Sequence, residues 1–148
     1  MTQPDGKQVM LLQPKQTSIA RQGMPQFFGV SESTVGARHL SMNLTAFPPG
    51  GRAKVHRHKD YETAIYTIAG EIILYYGPHL ETEILMGPGS FCYIPAEEPH
   101  VAFNLSDSQP ATALTARNDA REQENVVLMP ELDTEELAQR IAARKAQA

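Results

Sequence analysis

The sequence predicts an all-β chain, a jelly roll or double-stranded β-helix barrel, followed by a short C-terminal α-helix. Three observations predict it. Short runs rich in β-branched and aromatic residues recur along most of the chain, with turn signals roughly every 8–12 residues. The stretch RHLSMNLTAF alternates with period two, setting Leu40, Met42, Leu44 and Ala46 on one side and Ser41, Asn43 and Thr45 on the other. The period then changes late, in PELDTEELAQRIAARKAQA, to the spacing of an amphipathic helix.

Taken in order, VMLLQ is a first-strand candidate, and PKQTSIARQGMPQFFGVSEST reads as irregular cover with one strand near Phe27 to Val30. RHLSMNLTAF ends at PPGG, a turn that no central strand can contain. TAIYTIAGEIILYYG reads as two strands meeting at a tight turn or bulge at Gly70. TEILMG, SFCYIP, HVAFN and ATALTARN complete about nine or ten short strands. After the loop NDAREQEN, VVLMP is an apolar segment with no evident partner. The helix is expected to start near Asp133, with Asp133 as its cap, Glu136 closing a capping box, and a Glu136–Arg140 pair on its surface. Its narrow stripe of Leu137 and Ile141 suits docking on its own domain or on a second subunit equally well.

At 148 residues the chain is the size of one domain with a substantial core. Residues 1–148 read as a single unit, with a core of about 8–118, a motif-bearing stretch at 50–104 and a C-terminal arm and helix at 126–147. Hydrophobic residues make up 41%, charged residues 20%, and the net charge is −4. Without a basic surplus, nucleic acid is not an expected partner. No window is apolar enough for a membrane span, and MTQPDGKQVMLLQPKQ lacks the apolar core of a secretory signal peptide. The cytoplasm is the expected location. The single cysteine, Cys92, rules out an internal disulfide and is expected to be packed within SFCYI.

The chemistry concentrates between Gly50 and Asn104. His56 and His58 form an H-x-H pair, and in an extended strand such residues project side by side. Glu62 has the same parity, and His100 opens the run HVAFN. A curled sheet would bring these four together as a site of three nitrogens and one oxygen. Such a set suits Fe, Mn, Zn, Ni or Cu, and the absence of thiolates argues against a closed structural zinc site. Asp60 shares the parity and is an alternative carboxylate. Asn104, with the parity of His100, is expected within or beside the pocket.

These residues resemble the two motifs of the cupin family. Gly50, His56, His58 and Glu62 match the first, and Gly89, Pro95, His100 and Asn104 match the second. The resemblance implies a small single-domain cupin of the RmlC-like kind. It also implies that His56, His58, Glu62 and His100 hold one divalent transition-metal ion per chain (Fe, Mn, Zn or Ni). Two positions depart from the pattern. Gly70 follows Glu62 by one residue more than the motif allows, so either the strand carries a bulge or Thr63 takes the carboxylate's register. Glu97 stands at a turn position where the motif has glycine, which a positive φ would favour.

The implied function is that of a metal-dependent enzyme of small-molecule metabolism. In its simplest form it is an oxygenase acting on a chelating organic substrate. Alternatives are a metal-dependent isomerase, decarboxylase or lyase, and a non-catalytic metal-containing cupin that binds or senses a small ligand. No general base stands out, and Tyr66, Tyr93 and Glu97 are weak catalytic candidates. Partners are expected to be a small molecule and a second copy of the chain in a homodimer.

Overall fold

The computed structural model describes residues 3–121 and 125–148, so part of the expected NDAREQEN loop lies outside the described residues. In chain order the elements are β1 (Ser18–Ile19), β2 (Pro25–Val30), α1 (Glu32–Val35), β3 (Ser41–Phe47), β4 (His56–His58), β5 (Thr63–Ala69) and β6 (Ile72–Tyr76). They continue with β7 (Thr82–Met86), β8 (Phe91–Ile94), β9 (His100–Asn104), β10 (Ala111–Arg117), β11 (Val126–Leu128) and α2 (Glu135–Ala146). They form a six-stranded sheet in the order β1-β2-β3-β10-β5-β8 and a five-stranded sheet in the order β11-β4-β9-β6-β7. Every strand pairing among the described residues is antiparallel. The expected barrel is thus two separate antiparallel sheets, not closed by strand pairing into a cylinder.

The two sheets pack through their inner faces. Phe47, Ala111, Ala113 and Ile94 of the larger sheet meet Ile72, Leu74 and Met86 of the smaller. The smaller sheet is covered on its other face as well. Ile73, Tyr75, Val101 and Phe103 there pack with Leu137 and Ile141 of α2. Burial on both faces accounts for the unbroken apolar run IILYY, which shows no alternation. The helix stripe therefore docks on its own domain.

The helix start differs from expectation. Thr134 is the N-cap, its hydroxyl accepting from the Leu137 N–H at 3.2 Å. Asp133 is a clamp on the preceding chain instead. Its carboxylate accepts from Arg52 Nη2 at 2.7 Å and from the Val55 N–H at 3.1 Å. Arg140 donates to the Leu80 carbonyl at 2.6 Å and lies 3.9 Å from the Tyr75 ring centre, on the sheet side of the helix. Burying Leu137 and Ile141 contributes ~1.5–3 kcal/mol each, against about 1 kcal/mol for the cap. Docking decides where the helix sits.

Other expectations are revised. VMLLQ forms no strand, and Val9 and Leu11 stand exposed. The strands on either side of Gly70 do not form a hairpin but belong to different sheets. Gly70 is needed at this crossing: its φ is 80°, and a Cβ there would lie 2.6 Å from that of Ala111. VVLMP finds its partner within the chain, as β11 pairs with β4. On β3 the alternation holds, with its polar side turned inward. Ser41, Asn43 and Thr45 face inward, while Met42 is on the outer face. Cross-strand register then lines up Phe27, Leu44, Leu114, Tyr66 and Phe91 as one apolar row across the outer face of the larger sheet.

Candidate metal centre

β4 is only three residues long and is held on both sides. His56 pairs across to His100 on β9, and β11 runs along the opposite edge from His56 to His58. The H-x-H spacing puts both β4 histidines on the inner face, and the cross-strand pair adds the third. The ring centres of His56 and His100 lie 4.3 Å apart, those of His58 and His100 4.7 Å, and those of His56 and His58 4.9 Å. One potential ligand nitrogen from each ring lies within 4.8 Å of the others. All three rings are buried, at 4%, 2% and 3% exposure for His56, His58 and His100.

The outer nitrogen of each ring is engaged. His56 Nδ1 donates to the Lys54 carbonyl at 2.7 Å, and His100 Nδ1 to the Glu98 carbonyl at 2.9 Å. A carbonyl can only accept, so both rings carry their proton on Nδ1 and leave the Nε2 lone pair free. His58 Nδ1 lies 3.0 Å from Thr63 Oγ1, and its Nε2 is buried with no hydrogen-bond partner among the described residues. Tyr61 stacks on the His58 ring, with centres 4.9 Å apart and planes 19° from parallel. Tautomers set by neighbours, converging nitrogens and one orphaned buried nitrogen are what a divalent transition ion requires of its ligands. The residues fit such an ion.

Electrostatics agree. Burial is the main reason that all three imidazoles are held below their ordinary pKa of 6.5. For His56, well below it, His100 and Arg117 add repulsion, against a favourable hydrogen bond to Lys54. His58 is depressed further by repulsion from His100, His56 and Arg117. His100 lies at about 4. The rings are neutral at pH 7, the form that ligates metal.

Glu62 is not brought to this cluster. It is exposed, its carboxylate accepts from the Tyr93 hydroxyl at 2.8 Å, and its N–H donates to Asn118. Thr63 faces the histidines in its place. The bulge anticipated from the Gly70 spacing also exists, at Ile68 opposite the Thr112/Ala113 step. Asp60 is likewise exposed, its N–H near Glu97 Oε1 at 3.3 Å.

None of the three weak catalytic candidates lines the inner cavity. Tyr66 and Tyr93 lie on the outer face of the larger sheet, since Thr63, Ile65 and Thr67 take the inward parity. Glu97 adopts the left-handed backbone (φ 69°) that its glycine position implied. Its N–H donates to the His58 carbonyl and its carboxylate forms an ion pair with Arg57, so it braces β4 from outside. Asn104 ties the turn after β9, donating to the Pro48 and Gln109 carbonyls and accepting from the Ser106 N–H. Cys92 is half-buried against the core, as expected.

The cavity beside the histidines has a volume of about 50 Å³. Its walls include Phe47, Ile65, Leu74 and Met86, with Gln22, Gln26, Thr115 and Arg117 as polar members. Tyr61 and Arg117 went unrecognised in the sequence. The parity of ATALTAR was the available signal for Arg117, because a strand whose Ala111 and Ala113 face inward must turn its terminal arginine inward too.

Comparisons with known proteins agree with this geometry. A family profile described as "Cupin domain" matches residues 43–117. No curated protein matches the chain. Among solved structures, the protein TT1209 from Thermus thermophilus is similar at 29% identity and TM-score 0.55, over 68% of this chain and 90% of that one. The polyketide cyclase RemF from Streptomyces resistomycificus is similar at 20% identity and TM-score 0.69, over 82% of this chain and 86% of that one. An oxalate decarboxylase from Lactobacillus farciminis, as a formate complex, is similar at 15% identity and TM-score 0.65, over 78% of this chain but 34% of its own length. The last two likenesses speak for the fold alone.

Proposed function

Because the chain belongs to the cupin family, we propose that it is a metal-dependent enzyme of small-molecule chemistry, with His56, His58 and His100 holding one divalent transition ion. The observation that carries this reading is the buried, partnerless His58 Nε2 beside two imidazoles whose tautomers leave Nε2 free. An unsatisfied buried polar atom is costly, and a fold serving only as a scaffold has no use for it. When bound, the ion supplies either redox activation of O₂ beside a chelating substrate or Lewis-acid stabilisation of an enolate-like intermediate. The oxygenase form is the simplest, since three histidines converge among the described residues and several coordination positions are left for small molecules.

The chain's own residues supply the rest. Thr63, Lys54 and Glu98 hold the three rings in orientation, and Tyr61 packs against His58. Phe47, Ile65, Leu74 and Met86 give the inner cavity apolar walls. No carboxylate among the described residues lines that cavity, so a proton moving there must pass through the histidines, the substrate or water.

Protein loaded with Fe(II) is expected to consume O₂ in the presence of one member of a panel of small chelating acids and catechols. Turnover without O₂, with Mn, Zn or Ni, would instead identify isomerase, decarboxylase or lyase chemistry. Tight binding of a compound with no change in it under any of these metals would establish the binding-module reading.

The homodimer is part of the same proposal, and its contact is the outer face of the larger sheet. The row Phe27–Leu44–Leu114–Tyr66–Phe91 carries no charge, Phe91 is 86% exposed, and Met42, Ile68 and Tyr93 widen the apolar patch. This uncharged apolar row, edged by the Glu62 carboxylate at Tyr93, can pair with its own copy under a two-fold axis. Sedimentation should show a dimer that Phe91→Glu converts to monomer. A monomer at high micromolar concentration would refute it.

A further inference from the structure

Arg117 ends β10 with its side chain on the inward parity of Ala111, Ala113 and Thr115, and it lines the cavity that the three histidines share. It is 5% exposed. Among the described residues its Nε and Nη1 have no hydrogen-bond partner, and no aspartate or glutamate lines the cavity. Asp119 pulls on the guanidinium only from a distance, its carboxylate being engaged by Arg121 and Asn125. The Tyr61 ring centre is 5.9 Å from the guanidinium carbon, at the outer limit of useful cation–π range. An arginine stays charged inside a protein, and a buried charge without a counter-charge in contact is among the most destabilising groups a fold can hold.

Its position makes the anomaly sharper. Arg117 depresses the protonation of His56, His58 and His100 through its own charge. Those same rings are arranged to gather a second cation. Two cations facing one small cavity repel each other unless an anion lies between them. The cavity's about 50 Å³ is room for a handful of heavy atoms, since one water needs ~10–15 Å³ on this measure. Gln22 and Gln26 also line it, each with a carbonyl Oε1 that is buried and unpaired among the described residues. Those oxygens can accept from a hydroxyl.

We propose that the cavity binds a small carboxylate, with the carboxylate group on Arg117 and a hydroxyl-type donor toward Gln22 and Gln26. A carboxylate matches the planar guanidinium and leaves an oxygen free to face the histidines. This names the substrate class of the metal-dependent reading above and rests on it for the second cation, but not for Arg117 itself.

The test uses full-length protein, metal-free and zinc-loaded, with acetate, glycolate, inorganic phosphate and acetamide as probes. Affinity is read by calorimetry and by the shift in melting temperature. Acetate and glycolate are expected to bind and stabilise both forms, glycolate the more tightly, while acetamide and phosphate do not. Arg117→Met is expected to weaken carboxylate binding by about a hundredfold with unchanged zinc content. Without ligand it should melt above wild type, because an apolar chain of similar length replaces an unpaired charge. Arg117→Lys, which keeps the charge and loses the planar fork, should fall between. Equal affinity for acetate and acetamide, a preference for phosphate, or a methionine variant that binds like wild type overturns the proposal. If the methionine variant does not fold, a lysine variant within twofold of wild type overturns it as well. Zinc content measured on the same samples separates the two readings. A protein that takes up no zinc yet binds acetate through Arg117 refutes the metal centre only, and one that takes up zinc but ignores carboxylates refutes this inference only.

Discussion

Replacing His58 by alanine is expected to lower bound transition metal from about one ion per chain to under about a tenth at equal loading. His58 contributes the nitrogen left unpaired inside the protein, and its removal leaves two rings that cannot enclose an ion. His100→Ala should have the same effect, since it deletes one of the three converging imidazoles. Thr63→Ala should be milder, about 10–100-fold in affinity, because it frees the ring without deleting the ligand. Glu62→Ala should leave metal content unchanged, as its carboxylate is committed to Tyr93 on the outside. Metal analysis of protein purified without a nickel column decides among these. Stoichiometric metal in a His56/His58/His100 triple-alanine variant would place the centre elsewhere.

Acidifying the metal-free protein from pH 7 to pH 5 is expected to remove several kcal/mol of stability. Each of the three imidazoles is held below its ordinary value of 6.5, chiefly by burial. As the pH falls through 6.5, the unfolded chain therefore takes up protons that the folded chain refuses. Stability falls with falling pH by at most ~1.4 kcal/mol per pH unit for each ring. For His100 the loss levels off once the pH passes about 4, where the folded form protonates too. Of the carboxylates whose pKa the fold lowers, Glu81 begins to lose its contribution near its ordinary value of 4.5, and Asp119 and Asp133 near theirs of 3.8. Between pH 7 and pH 5 the imidazole loss therefore comes first, and for His56 and His58 it continues below pH 4 alongside that of the carboxylates. Bound metal should raise stability at pH 7 and be displaced by protons on the acid side. Urea titrations of metal-free protein at pH 7, 6 and 5 measure the slope, and equal midpoints at all three would contradict the burial of neutral rings.

The sequence made the three histidines legible because H-x-H in an extended strand admits one arrangement, and a lone histidine opening a strand can face it. The structure sets Glu62 apart from the histidines for a definite reason. Counting by twos from His58 to Glu62 assumes an extended backbone throughout, but Asp60 sits at φ 65°. One left-handed residue rotates the chain and resets which side faces inward. Thr63, Ile65 and Thr67 then take the inner face, and the assignment of Tyr66 to the pocket fails with that of Glu62. The inward turn of the polar side of β3 has a different origin. Period-two patterns show which residues share a side, but the apolar side points inward only where the interior is a plain core. Here the interior holds polar side chains beside apolar ones: Ser41, Asn43 and Thr45 turn inward while the outer face keeps Met42. Docking of α2 was open in sequence because the stripe of Leu137 and Ile141 is complementary to any apolar surface. Both faces of IILYY being apolar was the clue that this surface lay on the smaller sheet.

The dependence of β4 on β11 has a consequence for how the protein is made. β4, with two of the three histidines, has one paired residue with β9 and a full edge with β11. Its partner strand β11 is synthesised long after it, beyond the third histidine and the whole of β10. During translation the three imidazoles are therefore all present before the edge that steadies two of them exists. If the three histidines hold an ion as proposed, its capture is expected to be a late event, tied to the arrival of Val126 to Leu128, and a nascent chain halted before that point should bind metal weakly.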